Sequence, residues 1–541
     1  MINGPSRRAL LTGTLAGLAA ATPSAASASV RGGLPFRPNI VVILADDLGW
    51  GELGSYGQRL IRTPNLDRMA AEGVRFTDAY AGAPLCAPSR CALLTGLHAG
   101  HGTVRENPGG GPQHALTSAD LTFGELLQLS GYRTACIGKW GFGPDRAGQP
   151  SHPNERGFEE FYGYIGHRHA HQYFPKYLWH NGEKVRLDGR QYAPDLFRRR
   201  AVSYIEQHRD EPFLLYYPTN LPHAPSAVPG DAGPYESRPW SEANRRHAAQ
   251  VTRLDRDVAA LTGALRASGL AERTLVLFLS DNGPHHEQGV TPDLFDANGP
   301  YRSGKRAMYE GGLRVPFIAW SPALRPRVVR QPVAGWDLMP TLADLAGVPV
   351  PARLDGVSFR GLLTGAGAPR HKHLVWNRPR KAQAIRRGRW KAVRLAPDVA
   401  GAEHEWRVEL YDLTTDPGER HDLAAARPDL AAELAATLDA AIGDDPRIPY
   451  GLRSEVVGDE IVVTLENGSG VPWNDVVLGV DGPRKARASK VERVEPGMAI
   501  SVGFPLPAAG PGRLVARAAF RALGRSQLFR RPHARSALAS R

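Results

Sequence analysis

The chain reads as an α/β protein: a mostly parallel central sheet flanked by helices, then a smaller α+β subdomain, then an appended all-β module. Three observations predict this. The runs 39–44, 213–217 and 275–279 are apolar almost without interruption, as strands covered on both faces require. Helical patterns lie between such runs, the order expected of strands joined by crossovers. From about residue 371 that alternation stops, and short strand-like runs separated by turn residues take over.

The elements follow in order. After Pro38 the run 39–44 is the first buried strand. Thr63 and Pro64 form an N-cap and first-turn pair, and Gly73 closes that helix. Pro88 is placed to open a helix through Leu94, with Gly96 near its end. Residues 121–129 have helical spacing and stop near Gly131; 133–137 is the next strand. The stretch 144–190, rich in Gly, His, Tyr and Pro, reads as an elaborated loop over the sheet. A long helix spans 241–267 between the strands 213–217 and 275–279. Beyond 371, the runs 383–386 and 390–394 suggest an antiparallel sheet, with a helix over 428–442. The runs 460–465, 476–480, 498–502 and 513–517 suggest a small β-sandwich, with disorder from about Arg530. The expected units are 1–30, 36–370, 371–445 and 455–530.

Composition narrows the functional classes. With 541 residues the chain is long enough for two or three domains and a large core. The net charge of +13 suits an anionic substrate, although an arginine-rich composition accounts for it equally well. No basic helix or aromatic–basic module points to nucleic acid. The three cysteines, Cys86, Cys91 and Cys136, are too few for a disulfide framework. Arg7 and Arg8 precede a small, uncharged apolar stretch that ends near Ala26-Ser27-Ala28, which reads as a twin-arginine export signal. That stretch is poor in strongly apolar residues, so a stable membrane span is not expected. The localisation expected is periplasmic or extracellular.

The chemistry-bearing residues sit where strands end, and in open α/β sheets ligands bind beyond the carboxyl ends of strands. Asp46 and Asp47 close the first strand, and Asp281 and Asn282 close the run 275–279. Hard oxygen donors of this kind suit Ca²⁺ or Mg²⁺; taken singly, each is equally an N-cap or turn former. Cys86 would lie at a helix N-terminus, where free N–H groups favour an anion. Lys139 follows the strand 133–137, Lys305 lies in the run 304–316, and His223 follows the strand 213–217. Each has a plainer reading as a solvated lysine or a loop histidine.

The run Cys86-Ala87-Pro88-Ser89-Arg90, with Gly138-Lys139-Trp140 and Gly304-Lys305-Arg306 behind it, resembles the signature of the type I sulfatases, members of the alkaline phosphatase superfamily. The similarity covers about residues 37–442. It implies an alkaline phosphatase-like fold and hydrolysis of sulfuric esters. It further implies that Cys86 is oxidised to formylglycine by a formylglycine-generating enzyme. The family's calcium site maps onto Asp46, Asp47, Asp281, Asn282 and the residue at 86. Arg90, Lys139, His223 and Lys305 take the matching catalytic positions, with a sulfated small molecule or carbohydrate as substrate. In such a site the hydrated aldehyde attacks sulfur, and sulfate then leaves as the carbonyl re-forms.

One departure stands out. Many sulfatases carry a histidine two residues after the lysine matching Lys139; here Gly141 stands there. His167, His169 and His171 are the nearest replacements in sequence, and a structural or pocket-lining loop is the alternative. Two rival readings follow: a phosphodiesterase or phosphonate monoester hydrolase of the same superfamily, and a catalytically silent binder of sulfated glycans.

Overall fold

The computed structural model describes residues 34–443 and 450–532, apart from 110–111, 118–119, 352–353, 380, 397–405, 458, 468–472, 482–486, 496–497, 506–514 and 523–524. The export-signal reading of residues 1–30 lies outside the described residues.

A ten-stranded sheet organises the chain. Its centre is five parallel strands in the order Thr274–Ser280, Asn39–Ala45, Phe213–Pro218, Arg133–Lys139 and Glu160–Tyr164. Strand periodicity splits the first strand between two cores. Val41, Ile43 and Ala45 face helices Pro64–Glu72, Ala193–Gln207 and Glu242–Ala267 through Leu66, Phe197, Leu254 and Leu261. Ile40, Val42 and Leu44 face helices Cys86–Thr95, Phe123–Leu129 and Leu338–Ala346 through Leu94, Leu127 and Leu342. All six are fully buried, and each valine, leucine or isoleucine among them contributes about 2 kcal/mol. A charge at Val42 would therefore break the layer from the inside.

Helix ends follow local chemistry. Helix Phe123–Leu129 is opened by a reciprocal capping box between Thr122 and Glu125. Helix Cys86–Thr95 closes on Gly96 at φ 71°, where the Gly96 N–H donates to the Ala92 carbonyl. This helix begins two residues before Pro88, whose missing N–H costs nothing within the first turn.

The stretch expected as an elaborated loop is only partly one. Glu160–Tyr164 joins the parallel sheet, and Tyr177–His180 with Glu183–Arg186 extend it as a hairpin. Beyond 371, Leu374–Arg378, Ala382–Arg387, Trp390–Leu395 and Arg407–Asp412 form an antiparallel meander. One face, with Val375, Ile385 and Leu410, receives helix Pro428–Gly443 through Leu434 and Leu438. The other, with Trp376, Ala384 and Val393, packs on Tyr80, Met308 and Trp336 of the larger unit.

The last strands form one sheet of three and one of four. Ile461, Val463, Leu465, Val476, Leu478 and Phe504 build a core of their own. This module starts with Tyr450–Val457, earlier than residue 455, and its strand Arg525–Pro532 runs past Arg530, where disorder was expected. Among the described residues, no helix is long and apolar enough to cross a membrane.

Candidate active site

Four neighbouring parallel strands end on one side of the sheet, and each delivers polar groups there. Asn39–Ala45 runs straight into Asp46 and Asp47, and Thr274–Ser280 into Asp281 and Asn282. Arg133–Lys139 ends on Lys139 itself, and Phe213–Pro218 leads through Thr219 and Asn220 to His223. Backbone hydrogen bonds fix the strand ends together: the Asp281 N–H donates to Ala45 O at 3.1 Å and the Asp46 N–H to Leu221 O at 2.9 Å. Asp47 adopts φ 66°, a left-handed conformation that aspartate tolerates, and its N–H donates to Asp281 Oδ1 at 3.1 Å.

The sequence-predicted residues come together in one buried cluster. Asp46 accepts from Lys139 Nζ at 2.6 Å and faces Arg90 at 3.4 Å. Arg90 donates from Nε to Asp281 Oδ2 at 2.9 Å and from Nη1 to the Lys139 carbonyl at 2.7 Å. Asp47 accepts from Lys305 Nζ at 2.8 Å and Asn282 Nδ2 at 2.7 Å, and its Oδ1 lies 3.7 Å from Cys86 Sγ. His223 Nε2 is 3.3 Å from Asp47 and 3.1 Å from Lys305 Nζ. Cys86 opens its helix within this ring, at zero exposure.

Burial sets the electrostatics. It pushes the Asp281 carboxyl up to about 7, and the facing Asp46 carboxylate adds to the rise. For Asp46 and Asp47 burial is again the largest influence, but the neighbouring cations, led by Lys139 and Lys305 respectively, outweigh it and hold both carboxyls low. Burial pushes His223 down to about 3, so its imidazole is neutral at physiological pH. It pushes the Cys86 thiol well up, so the unmodified side chain is not a thiolate nucleophile.

The donor set fits a hard divalent cation. Asn282 Oδ1 and Asp46 Oδ1 are buried and take no hydrogen bond, and Asp46, Asp47, Asp281 and Asn282 offer only oxygens. Cys86 Sγ lies with donor atoms of Asp46, Asp47 and His223 in one group whose atoms are all within 4.8 Å of one another.

The structure also brings in groups that sequence reasoning passed over. Glu287 pairs with Lys305 at 3.2 Å, His285 lies beside His223 with ring centres 5.9 Å apart, and Asn107 accepts from the Ala87 N–H at 3.0 Å. The run Asp281 to Glu287 was a usable signal for the first two, since the polar residues continue past the metal-type pair. His167 and His171 reach the cluster; His169 instead packs on Tyr164 and Tyr177. A cleft of about 600 Å³, lined by His286, Asn298, Tyr301, Arg302, Lys305 and Arg420, opens from Lys305.

Paired carboxylates, an amide oxygen and buried cations around a helix N-terminus define a hydrolase for esters of an oxyanion. The comparisons give the family. The sulfatase family model matches residues 38–348, and a model of the N-sulphoglucosamine sulphohydrolase C-terminal region matches 301–443. The chain therefore belongs to the sulfatase family and is a sulfuric ester hydrolase. Human arylsulfatase A is 33% identical over 82% of this chain and 95% of its own length. An N-acetylgalactosamine-6-O-sulfatase of Bacteroides thetaiotaomicron is 28% identical over 74% of this chain and 93% of its own. The crystal structure of Ps i-CgsB in complex with k-i-k-neocarrahexaose aligns with TM-score 0.66 at 30% identity, covering 76% of this chain and 93% of that one.

Proposed function

We propose that this sulfatase removes sulfate from sulfated carbohydrates outside the cytoplasm, with Cys86 matured to formylglycine and Ca²⁺ held by Asp46, Asp47, Asp281, Asn282 and residue 86. The observation that carries the reading is the position of Cys86. It stands at a buried helix N-terminus, 3.7 Å from Asp47, where three carboxylates and three cations converge. The carbohydrate substrate rests on the names of the relatives, and export on the arginine pair and apolar stretch within residues 1–30. Formylglycine supplies an aldehyde whose hydrate is an oxygen nucleophile, and Ca²⁺ supplies charge that favours its ionised form.

The chain's own residues do the rest. Arg90, fixed by Asp281 and the Lys139 carbonyl, keeps its charge one helical turn from residue 86, where it would offset negative charge on the nucleophilic oxygen. Lys139 and Lys305 bind sulfate oxygens and offset charge that develops on the departing oxygen. His223, kept neutral by burial, passes to that oxygen the proton it shares with Lys305 at 3.1 Å. The cleft beside Lys305 holds the sugar, with Arg302 and Arg420 facing any further anionic group.

The test is sulfate release, measured by ion chromatography. The aldehyde-bearing protein is given N-acetylgalactosamine 6-sulfate, sulfated galactan fragments and an aryl sulfate, each beside its phosphate counterpart. Turnover of at least one sulfated sugar, well above every phosphate ester, is expected. Faster turnover of the phosphates would overturn the reading in favour of phosphoryl chemistry. Tight binding of the sugars with no sulfate released would leave only a binding protein.

A further inference from the structure

Hydrolysis through a protein side chain needs two proton movements: one onto the departing alcohol, and one off the side chain that has received the sulfuryl group. The groups described above serve the first. Lys139 is committed to Asp46, and Lys305 to Asp47 and Glu287. His223 is engaged at both nitrogens, with Nδ1 2.5 Å from the Ala224 carbonyl.

The turn after Lys139 offers no base. Gly141 sits at φ +93°, and a Cβ there would stand 3.3 Å from Arg90 Cδ, so a side chain at 141 is strained. The next strand supplies what this turn lacks. Trp140 and Gly141 donate their N–H groups to the carbonyls of Tyr164 and Ile165, which draws the segment after Glu160–Tyr164 alongside. That segment carries His167 and His171. Their ring centres are 4.9 Å apart. His171 stacks on His223 at 4.5 Å, and His167 stands edge-on to it at 6.4 Å. His171 Nε2 and His167 Nδ1 are buried and have no hydrogen-bond partner among the described residues. Burial and then the Lys139 charge hold both imidazoles low, His171 at about 4, so both rings are neutral at neutral pH and each keeps one nitrogen lone pair.

We propose that the His167–His171 pair is the general base that takes the proton of the free hydroxyl on residue 86 as sulfate leaves. The inference rests on the formylglycine reading above. The electrons of the O–H bond re-form the aldehyde carbonyl, the C–O bond to sulfate breaks with its electrons on sulfate, and the proton moves to an imidazole and then to water.

The test uses His167→Asn, His171→Asn and the double variant, with His169→Asn as a control for packing in the same segment. Aldehyde content and melting temperature are checked for each. The double variant is expected to lose about 10²–10⁴-fold in kcat with KM little changed, and the control to stay near the original enzyme. Acid-quenched intact masses are expected to show sulfated enzyme accumulating during turnover of the double variant. Calorimetric substrate binding, on a Cys86→Ala background, is expected to be the same with and without the two histidines. A double variant with undiminished kcat, or one whose loss lies in substrate binding with no sulfated enzyme, overturns the inference. If the unaltered enzyme carries its aldehyde and releases no sulfate at all, the formylglycine reading falls first and takes this inference with it.

Discussion

Asp46, Asp47 and Asp281 are three buried carboxylates within one cluster, and Asp281 bears the cost of burial and, after it, of the facing Asp46 charge. With no cation bound, its carboxyl titrates near 7 instead of 3.8. A raised pKa contributes stability that is fully present below the unfolded value and is lost as pH rises through the folded one. The chelated protein is therefore expected to lose that contribution from about pH 4 to about pH 7. Added Ca²⁺ should raise the melting temperature more at about pH 8 than at about pH 5, and near pH 6 its binding should release about one proton. Differential scanning calorimetry with and without chelator, and titration calorimetry in two buffers, check this. An equal Ca²⁺ effect at both pH values would contradict the assignment of Asp281. These acids were legible in the sequence because each follows directly on an apolar strand. The position of His167 and His171 was not. It depends on the strand Glu160–Tyr164 pairing in register with Arg133–Lys139, a tertiary fact that no local spacing records.

Among the elements, the segment carrying Lys305 is held from behind by the antiparallel meander. Lys391, on Trp390–Leu395, reaches Glu310 at 2.9 Å and Glu419 at 2.8 Å, with all three side chains fully buried. Glu310 also accepts from Tyr80 at 2.7 Å and pairs with Arg314 at 2.6 Å. Removing one partner of a buried pair leaves an uncompensated charge, so Lys391→Ala is expected to cost about 3–5 kcal/mol by denaturant unfolding. Loss below about 1 kcal/mol would show that solvent already reaches the network. The meander itself was readable from its short alternating runs. The strands at 160–186 were not, because Gly, Tyr and His give them the composition of a loop. Pairing with an already formed sheet overrides that weak local preference.

For the molecule as a whole, the α/β class was legible because buried parallel strands write continuous apolar runs that few other folds need. The terminal module was legible as β but not in its limits. Its two sheets meet over an independent core, and the strands at its start and end have little apolar patterning. Excess positive charge favours the approach of an anionic sulfate ester to a site whose own carboxylates are matched by Arg90, Lys139 and Lys305. All of the proposed chemistry, however, passes through one side chain. Peptide mass spectrometry across residue 86, on protein co-produced with a formylglycine-generating enzyme, tests it most directly. The expected result is an aldehyde or its hydrate at residue 86, with sulfate release proportional to the modified fraction across preparations. A residue 86 that stays a thiol while the protein still hydrolyses sulfate esters would contradict the mechanism at its centre.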